Sequence, residues 1–303
     1  MAAFFSPLRM ALAQDLAPRA YLITPLRSNA VSLTWSFYDG SIDLNGVLPA
    51  SDALGKYNVS MVSYYHSFGV FGHSANIVAA LPYGLGHFQG TVDGAGMNLY
   101  RSGLGDSVYR LAVNLKGGPA LAPREFLEWH QKMLLGVSLK VLAPTGQYDP
   151  TRLINWGTNR WSFKPELGYS QRFGKWILDG YAGVWFFTPN NDYWSRNAYY
   201  PGTRSLTQEP MAAFESHLSY DFKKRGLWVS LDGNYWTGGV TTVGGVENSN
   251  THVQNSRVGF TAAVPVTKHS SLKFSYSDGA HIEFGGNYQT VSMGWQYGWL
   301  GKP

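Results

Sequence analysis

The chain has 303 residues and a formal net charge of +5, and only 14% of its residues are charged, well below the roughly 25% of a typical soluble domain. Its aromatic content (16 Phe, 11 Trp and 19 Tyr) excludes an intrinsically disordered chain, and the absence of Cys excludes disulfides, thiolate metal sites and a Cys nucleophile. The positive excess is scattered and does not form the basic patch that nucleic acid requires, so no nucleic-acid partner is expected.

The amino terminus carries a short apolar segment. Residues 1–13 read MAAFFSPLRMALA, and Ala11-Leu12-Ala13 has the small-x-small form of a signal-peptidase site. Because the segment is short and Pro7 and Arg9 interrupt it, we interpret residues 1–13 as a residual export signal, with a disordered tail as the alternative. Residues 14–303 are predicted to form a single domain.

Strict alternation of apolar and polar residues recurs along the rest of the chain and predicts β-strands. In the clearest case, residues 161–169, Trp, Phe, Pro, Leu and Tyr interleave with Ser, Lys, Glu and Gly. The predicted strands are about 12–14 residues long, which is enough to cross the roughly 25 Å apolar band of an outer membrane. Strands of soluble proteins usually have only about 5–6 residues. The twelve predicted strands lie near residues 31–37, 56–68, 73–83, 108–115, 132–141, 160–170, 175–188, 209–221, 229–236, 255–266, 271–278 and 290–299.

The lengths of the connections alternate. Long connections are predicted near residues 39–56, 84–103, 146–158, 189–205, 238–252 and 279–287, and tight turns near residues 68–72, 173–175, 222–226 and 267–270. Long extracellular loops opposite short periplasmic turns are typical of outer-membrane barrels, which have an even number of antiparallel strands. One periplasmic connection, residues 116–131, is long, and a short helix is predicted within it at residues 123–130. The fold class is therefore an all-β, transmembrane, twelve-stranded antiparallel barrel in the outer membrane of a Gram-negative bacterium.

With the apolar residues facing lipid, aromatic residues at strand ends are expected to form interfacial girdles. The expected girdle residues are Trp161, Trp176, Tyr220, Trp295, Tyr297 and Trp299, with Trp156 and Trp185 near them. Residues 292–299 have a polar-x-Gly-x-x-aromatic-x-aromatic form that resembles the carboxy-terminal signal of outer-membrane proteins. Outer-membrane lipids and the barrel assembly machinery are therefore the expected partners.

The alternate, polar residues are expected to line the lumen and border a translocation path. They are Arg110, Lys140, Arg160, Lys164, Glu166, Asp179, Glu209, Glu215, His217, Asp232 and Arg257. Both signs of charge are present, which argues against a strongly ion-selective channel. These residues could instead form interlocked pairs that fill the lumen and fix the strand register. Residues 15–21 could enter the periplasmic mouth as a plug or remain an exposed lead-in.

No catalytic or cofactor site is predicted. His217-Leu218-Ser219 has the His-x-Ser spacing of the outer-membrane phospholipase, but the alternation turns both residues inward and no Asn-Gly follows the Ser. The other His residues lack metal-ligand spacing, and no phosphate-binding Gly loop stands at a strand–helix junction. Neither a metal nor a cofactor is expected.

Several strings resemble one outer-membrane family. They are DLAPRAY at residues 15–21, NLKGGPA at 114–120, APTGQYDP at 143–150, WSFKPELG at 161–168 and SLDGNYW at 230–236. From residue 15 onward the chain resembles the MetA-pathway of phenol degradation family of outer-membrane transporters. The resemblance implies passage of small hydrophobic or aromatic solutes, so the expected function is a passive uptake channel. The alternatives are a closed barrel that acts through its extracellular loops and a phospholipase-like enzyme.

Overall fold

The computed structural model describes residues 16–43, 50–92, 95–223 and 226–302. Over these residues the chain is nearly all β, and its strands are, in chain order, β1 (Ser28–Asp43), β2 (Ala50–Val70), β3 (His73–Val92), β4 (Ala95–Leu104), β5 (Ser107–Lys116), β6 (Met133–Ala143), β7 (Ser162–Phe173), β8 (Trp176–Phe187), β9 (Leu206–Gln208), β10 (Met211–Asp221), β11 (Trp228–Gly238), β12 (Thr241–Val243), β13 (Val246–Asn248), β14 (Val253–Pro265), β15 (Ser270–Ile282) and β16 (Gly285–Leu300).

The strands form a closed antiparallel barrel. Strand β4 pairs with residues 83–92 of β3 and β5 pairs with residues 75–80, so β4 and β5 together make one strand of the wall. Each wall strand pairs with its neighbours in turn, and β1 pairs with β16 from Ser28 to Asp43 to close the circle. Counted over the described residues, the wall has twelve strands, as predicted. Strands β9, β12 and β13 form a separate small sheet at the extracellular end.

The alternation sorts residues between the two faces of the wall as predicted. Leu231 is 64% exposed on the outer face, whereas its neighbours Ser230 and Asp232 are 1% and 5% exposed. Five of the expected girdle residues, Trp161, Trp176, Trp295, Tyr297 and Trp299, are exposed on the outer face, and Tyr220 is half-buried beside Trp176. The apolar residues of the alternating strands therefore face lipid.

Trp156 and Trp185 do not belong to the girdle. They are 4% and 3% exposed, and both pack inside the barrel. Trp185 lies on β8 next to the outward-facing Phe186, so it takes the inward face by alternation. Trp156 comes from the connection between β6 and β7, which folds inward over the lumen.

The periplasmic connections that the structure describes in full match the prediction. The turns β2–β3 and β7–β8 are tight, with Gly72 and Gly174 at positive φ. The predicted helix is confirmed as α1 (Pro123–Glu128). Among the described residues no helix is long and apolar enough to cross a bilayer. The predicted export remnant, residues 1–13, lies outside the described residues.

The predicted loop at residues 84–103 is wrong, because β3 continues to Val92 and β4 begins at Ala95. Gly84 and Gly86 occupy inward positions there, and a Cβ at either would overlap Trp156 or Tyr57. The alternation is thus present, but two of its inward positions, Gly84 and Gly86, have no side chain, whereas Phe88 supplies a buried ring. The predicted loops at residues 39–56 and 279–287 are shorter as well, since β1, β2, β15 and β16 also extend outward.

Candidate functional site

The lumen contains a cavity of about 1790 Å³. One side of it, formed by β1–β3 and β14–β16, is rich in hydroxyl groups, which come from Ser32, Thr34, Ser36, Ser63, Ser275, Ser277, Thr290 and Ser292. The cavity reaches the periplasmic rim at the β14–β15 turn and ends outward at Tyr38, Leu142 and Arg257. These residues face inward because they occupy alternate positions on strands whose other residues face lipid.

Opposite this hydroxyl-rich side lies a charge network, which we define as Lys164, Glu166, Glu215, His217 and Asp232. The ammonium Nζ of Lys164 lies 2.5 Å from Glu166 Oε2 and 3.1 Å from Glu215 Oε1. His217 Nδ1 lies 2.8 Å from Asp232 Oδ1, and His217 Nε2 lies 3.6 Å from Glu215 Oε2. All five residues are buried. The network therefore joins β7, β10 and β11 through the barrel interior.

Hydroxyl groups complete the shell of Asp232. Ser230 Oγ donates to Asp232 Oδ1 and Thr261 Oγ1 donates to Asp232 Oδ2, each at 2.6 Å. A buried carboxylate is tolerated only when its oxygens are paired and hydrogen-bonded in this way. The side chains at these positions thus fix the register of β10, β11 and β14.

The eleven residues expected to line the lumen fall into three groups. Six border the cavity: Arg110, Lys140, Lys164, Glu166, Glu215 and Arg257. Four others are buried in the barrel away from the cavity surface: Arg160, Asp179, His217 and Asp232. Glu209 is placed differently, because it is exposed in the short connection before β10, where its amide donates to Val240 O. Glu209 therefore does not border the cavity.

Residues 16–27, which we call the amino-terminal segment, lie inside the periplasmic half of the lumen. The Arg19 amide donates to Asp179 Oδ2 at 3.1 Å, and its guanidinium pairs with Asp221 at 2.7 Å. The Ala20 amide donates to the Tyr181 hydroxyl at 3.0 Å. The sequence left open whether residues 15–21 form a plug or an exposed lead-in. In the structure residues 16–21 are inserted into the lumen as a plug; residue 15 lies outside the described residues.

Tyr21 anchors the amino-terminal segment. Its hydroxyl lies 3.0 Å from both Ser138 Oγ and Glu166 Oε1, and it is 1% exposed. Its ring packs against Gly136 and Gly168, where a Cβ would overlap it. Burial raises the pKa of the Tyr21 phenol to about 12, so this hydroxyl stays protonated and able to donate at neutral pH.

The outer end of the lumen is closed by an aromatic cluster, defined as Tyr57, Phe88, Trp156 and Tyr288. The Tyr57 ring makes edge contacts with Tyr288 at 5.2 Å and with Trp156 at 6.0 Å between centroids. A second apolar cluster adjoins it and includes Tyr193 and Leu206 from the β8–β10 connection. The sequence analysis missed this cluster, and the alternating glycines at residues 84 and 86 are the signal that could have indicated it, because they leave space for the rings of Trp156 and Tyr57.

The His-x-Ser spacing does not form a lipid-facing site. His217 and Ser219 are 1% and 0% exposed, and the imidazole is bound by Asp232 inside the barrel. Within the described residues, no group of three or more His, Asp or Glu residues could hold a metal ion.

The chain belongs to the family described as "Putative MetA-pathway of phenol degradation", whose model matches residues 45–294. It is similar to the COG4313 outer membrane channel from Pseudomonas putida F1, with a TM-score of 0.76 and 17% identity over 94% of this chain and 100% of that chain. The transport unit of the autotransporter AIDA-I from Escherichia coli matches with a TM-score of 0.51 and 10% identity over 97% of this chain and 99% of that chain. These likenesses establish the outer-membrane barrel fold. No curated protein sequence matches.

Proposed function

We propose that this member of the phenol-degradation family is an outer-membrane channel for passive passage of small hydrophobic or aromatic molecules. The observation that carries the proposal is the cavity of about 1790 Å³ inside a closed barrel, with aromatic rings at its outer end. A volume of this order exceeds the roughly 300–1,000 Å³ of ordinary small-molecule sites, so it has room for a solute and water. The similar Pseudomonas putida F1 protein is itself described as an outer membrane channel.

Passage requires two closures to open. The aromatic cluster separates the cavity from the extracellular side, and the amino-terminal segment narrows its periplasmic half. An aromatic solute can replace the edge contacts among Tyr57, Trp156 and Tyr288 with similar contacts of its own. Such an exchange lowers the cost of displacing the cluster, and the solute then moves down its concentration gradient.

We propose that the protein catalyses no reaction. His217 is committed to Asp232 and Glu215 and is shielded from lipid, so a phospholipid could not reach it. The buried network is accounted for by its structural role in holding β10, β11 and β14 in register.

The test compares wild-type protein with Trp156→Ala, which removes one wall of the aromatic cluster. Planar bilayers report ionic current, and vesicles with a lipopolysaccharide outer leaflet report uptake of radiolabelled phenol. Trp161→Ala is the matched control, because Trp161 is 45% exposed on the lipid side. We expect measurable flux in the wild type, a several-fold increase in Trp156→Ala and no change in Trp161→Ala. Absence of current and of phenol uptake in all three proteins would overturn the proposal.

A second candidate function is a closed barrel that acts through its extracellular loops. The dense packing of the second apolar cluster, which includes Tyr193, Leu206 and Trp236, favours it. This candidate predicts no conductance either in the wild type or in Trp156→Ala. It also predicts ligand binding that depends on residues 188–205.

A further inference from the structure

The charged residues that line the cavity are unequal in sign. Two carboxylates line it, Glu166 and Glu215. Seven cationic side chains also line it, namely Arg19, Arg110, Lys140, Lys164, Arg257, Lys268 and Lys273. The sequence shows both signs on the inward face, but the structure distributes them unevenly between the cavity surface and the packed side of the barrel.

The two lining carboxylates are already neutralised by the wall. Glu166 lies 2.5 Å from Lys164 and 3.9 Å from Arg110, and Glu215 lies 3.1 Å from Lys164. The remaining acids nearby are held on the packed side, where Asp232 is 5% exposed. Asp221 pairs with both Arg19 and Arg172. The cavity therefore keeps a positive excess even when these acids are counted with it.

The cationic groups are distributed along the cavity rather than gathered at one end. Lys268 lies in the β14–β15 turn at the periplasmic rim, and Lys273 is the fourth residue of β15. Lys140 lies in the outer half of β6, and Arg257 lies at the outer end of the cavity. The Arg257 guanidinium donates to Ser277 Oγ at 3.0 Å and to Thr290 Oγ1 at 3.3 Å, which holds it at the hydroxyl-rich wall. A series of like charges in a low-dielectric tube raises the local concentration of counter-ions.

The outer end of the cavity adds an apolar requirement. Tyr38, Val59 and Leu142 line it there, directly below the aromatic cluster. A solute that satisfies both parts of the cavity has a flat apolar body and one negative group. Inorganic anions lack the apolar body, and neutral phenols lack the negative group.

We infer that the cavity selects organic anions, and that aromatic carboxylates are the class of aromatic solute it takes. The carboxylate is attracted by Lys140 and Arg257, and the ring lies against Tyr38 and Leu142. This inference rests on the proposed channel function for its biological meaning, but the binding preference can be measured without transport.

The experiment measures binding of benzoate and of benzyl alcohol, its uncharged analogue of similar size, to the folded protein in detergent by calorimetry. We expect benzoate to bind about tenfold more tightly, with a preference that declines as salt screens the charges. Lys140→Gln and Lys273→Gln should each weaken benzoate binding about threefold and leave benzyl alcohol unchanged. Lys140 is half-buried and Lys273 is exposed, so these variants are expected to fold.

Lys56→Gln is the matched control, because Lys56 pairs with Asp39 outside the lumen and its side chain is 65% exposed. Equal binding of the two ligands, or equal effects of Lys56→Gln and Lys140→Gln, would overturn the inference. The zero-current potential of the wild type in a KCl gradient is the second measurement, and it should have the sign of chloride preference. A cation preference overturns the inference, whereas absence of any current with intact benzoate preference overturns only the channel function.

Discussion

Replacing Tyr21 with Ala should release the amino-terminal segment from the lumen without unfolding the barrel. The ring is buried against Gly136 and Gly168, and its hydroxyl is bound by Glu166 and Ser138. Removal of a buried aromatic side chain costs about 3–5 kcal/mol. Since no strand of the wall contains Tyr21, we expect this loss to fall on the seating of the segment, and about 3 kcal/mol raises the released population roughly a hundredfold.

Because the natural chain has no Cys, a single Ala20→Cys substitution gives a unique reporter of this release. We expect a bulky maleimide to label Cys at this position slowly in the otherwise native protein and up to about a hundredfold faster when Tyr21→Ala is added. Tyr21→Phe should have an intermediate effect, because it removes only the hydroxyl. Leu127→Cys on α1 is 64% exposed and should label at the same rate in every background.

Gly168→Ala provides an independent perturbation of the same contact. Its added methyl group would overlap the Tyr21 ring from the barrel wall, so this variant should also accelerate labelling of Ala20→Cys. Unchanged labelling in both Tyr21→Ala and Gly168→Ala would refute the reasoning that Tyr21 anchors the segment.

Two further predictions concern the wall. Asp232→Asn should lower the free energy of unfolding by about 3–5 kcal/mol, because it removes a buried charge bound by His217, whereas Asp39→Asn in an exposed pair should cost less than about 1 kcal/mol. Urea unfolding followed by the shift in gel mobility measures both, and equal losses would contradict the role of the charge network. Leu231→Arg should destabilise the barrel in bilayers by about 2–4 kcal/mol, since Leu231 faces lipid, while Val246→Arg in the equally exposed extracellular β13 should be close to neutral. A similar cost at both positions would argue that Leu231 does not contact hydrocarbon.

The fold could be predicted from sequence where both faces of a strand carry side chains. The alternation with a period of two in residues 161–169 and 229–236 indicates which residues face lipid. The pairing of each strand with its neighbour follows from their order in the chain. The same reasoning fails at residues 84–103, because the inward positions Gly84, Gly86 and Gly103 have no side chain that would distinguish the inward from the outward face. It fails for Trp156 because the inward fold of a loop depends on space made by Gly84, far away in sequence.

The site was predictable to a smaller extent. Alternation identifies inward charges but not which of them pair, so the separation of cavity-lining cations from the packed acids required the structure. Glu209 shows why alternation fails at a strand end. Strand β10 begins at Met211, so the alternation does not indicate which way Glu209, before Pro210, is oriented. The insertion of residues 16–21 stayed open for a similar reason, since the side chains that hold Tyr21 lie more than a hundred residues later in the chain.

That separation along the chain imposes an order on maturation. Tyr21 is synthesised early, but its hydrogen-bond partners Ser138 on β6 and Glu166 on β7 follow 117 and 145 residues later. The hydrogen bonds of the Tyr21 hydroxyl can therefore form only once β6 and β7 lie side by side in the wall. Anchoring of the amino-terminal segment by Tyr21 thus depends on the pairing of β6 with β7, and not only on contacts within its own part of the chain.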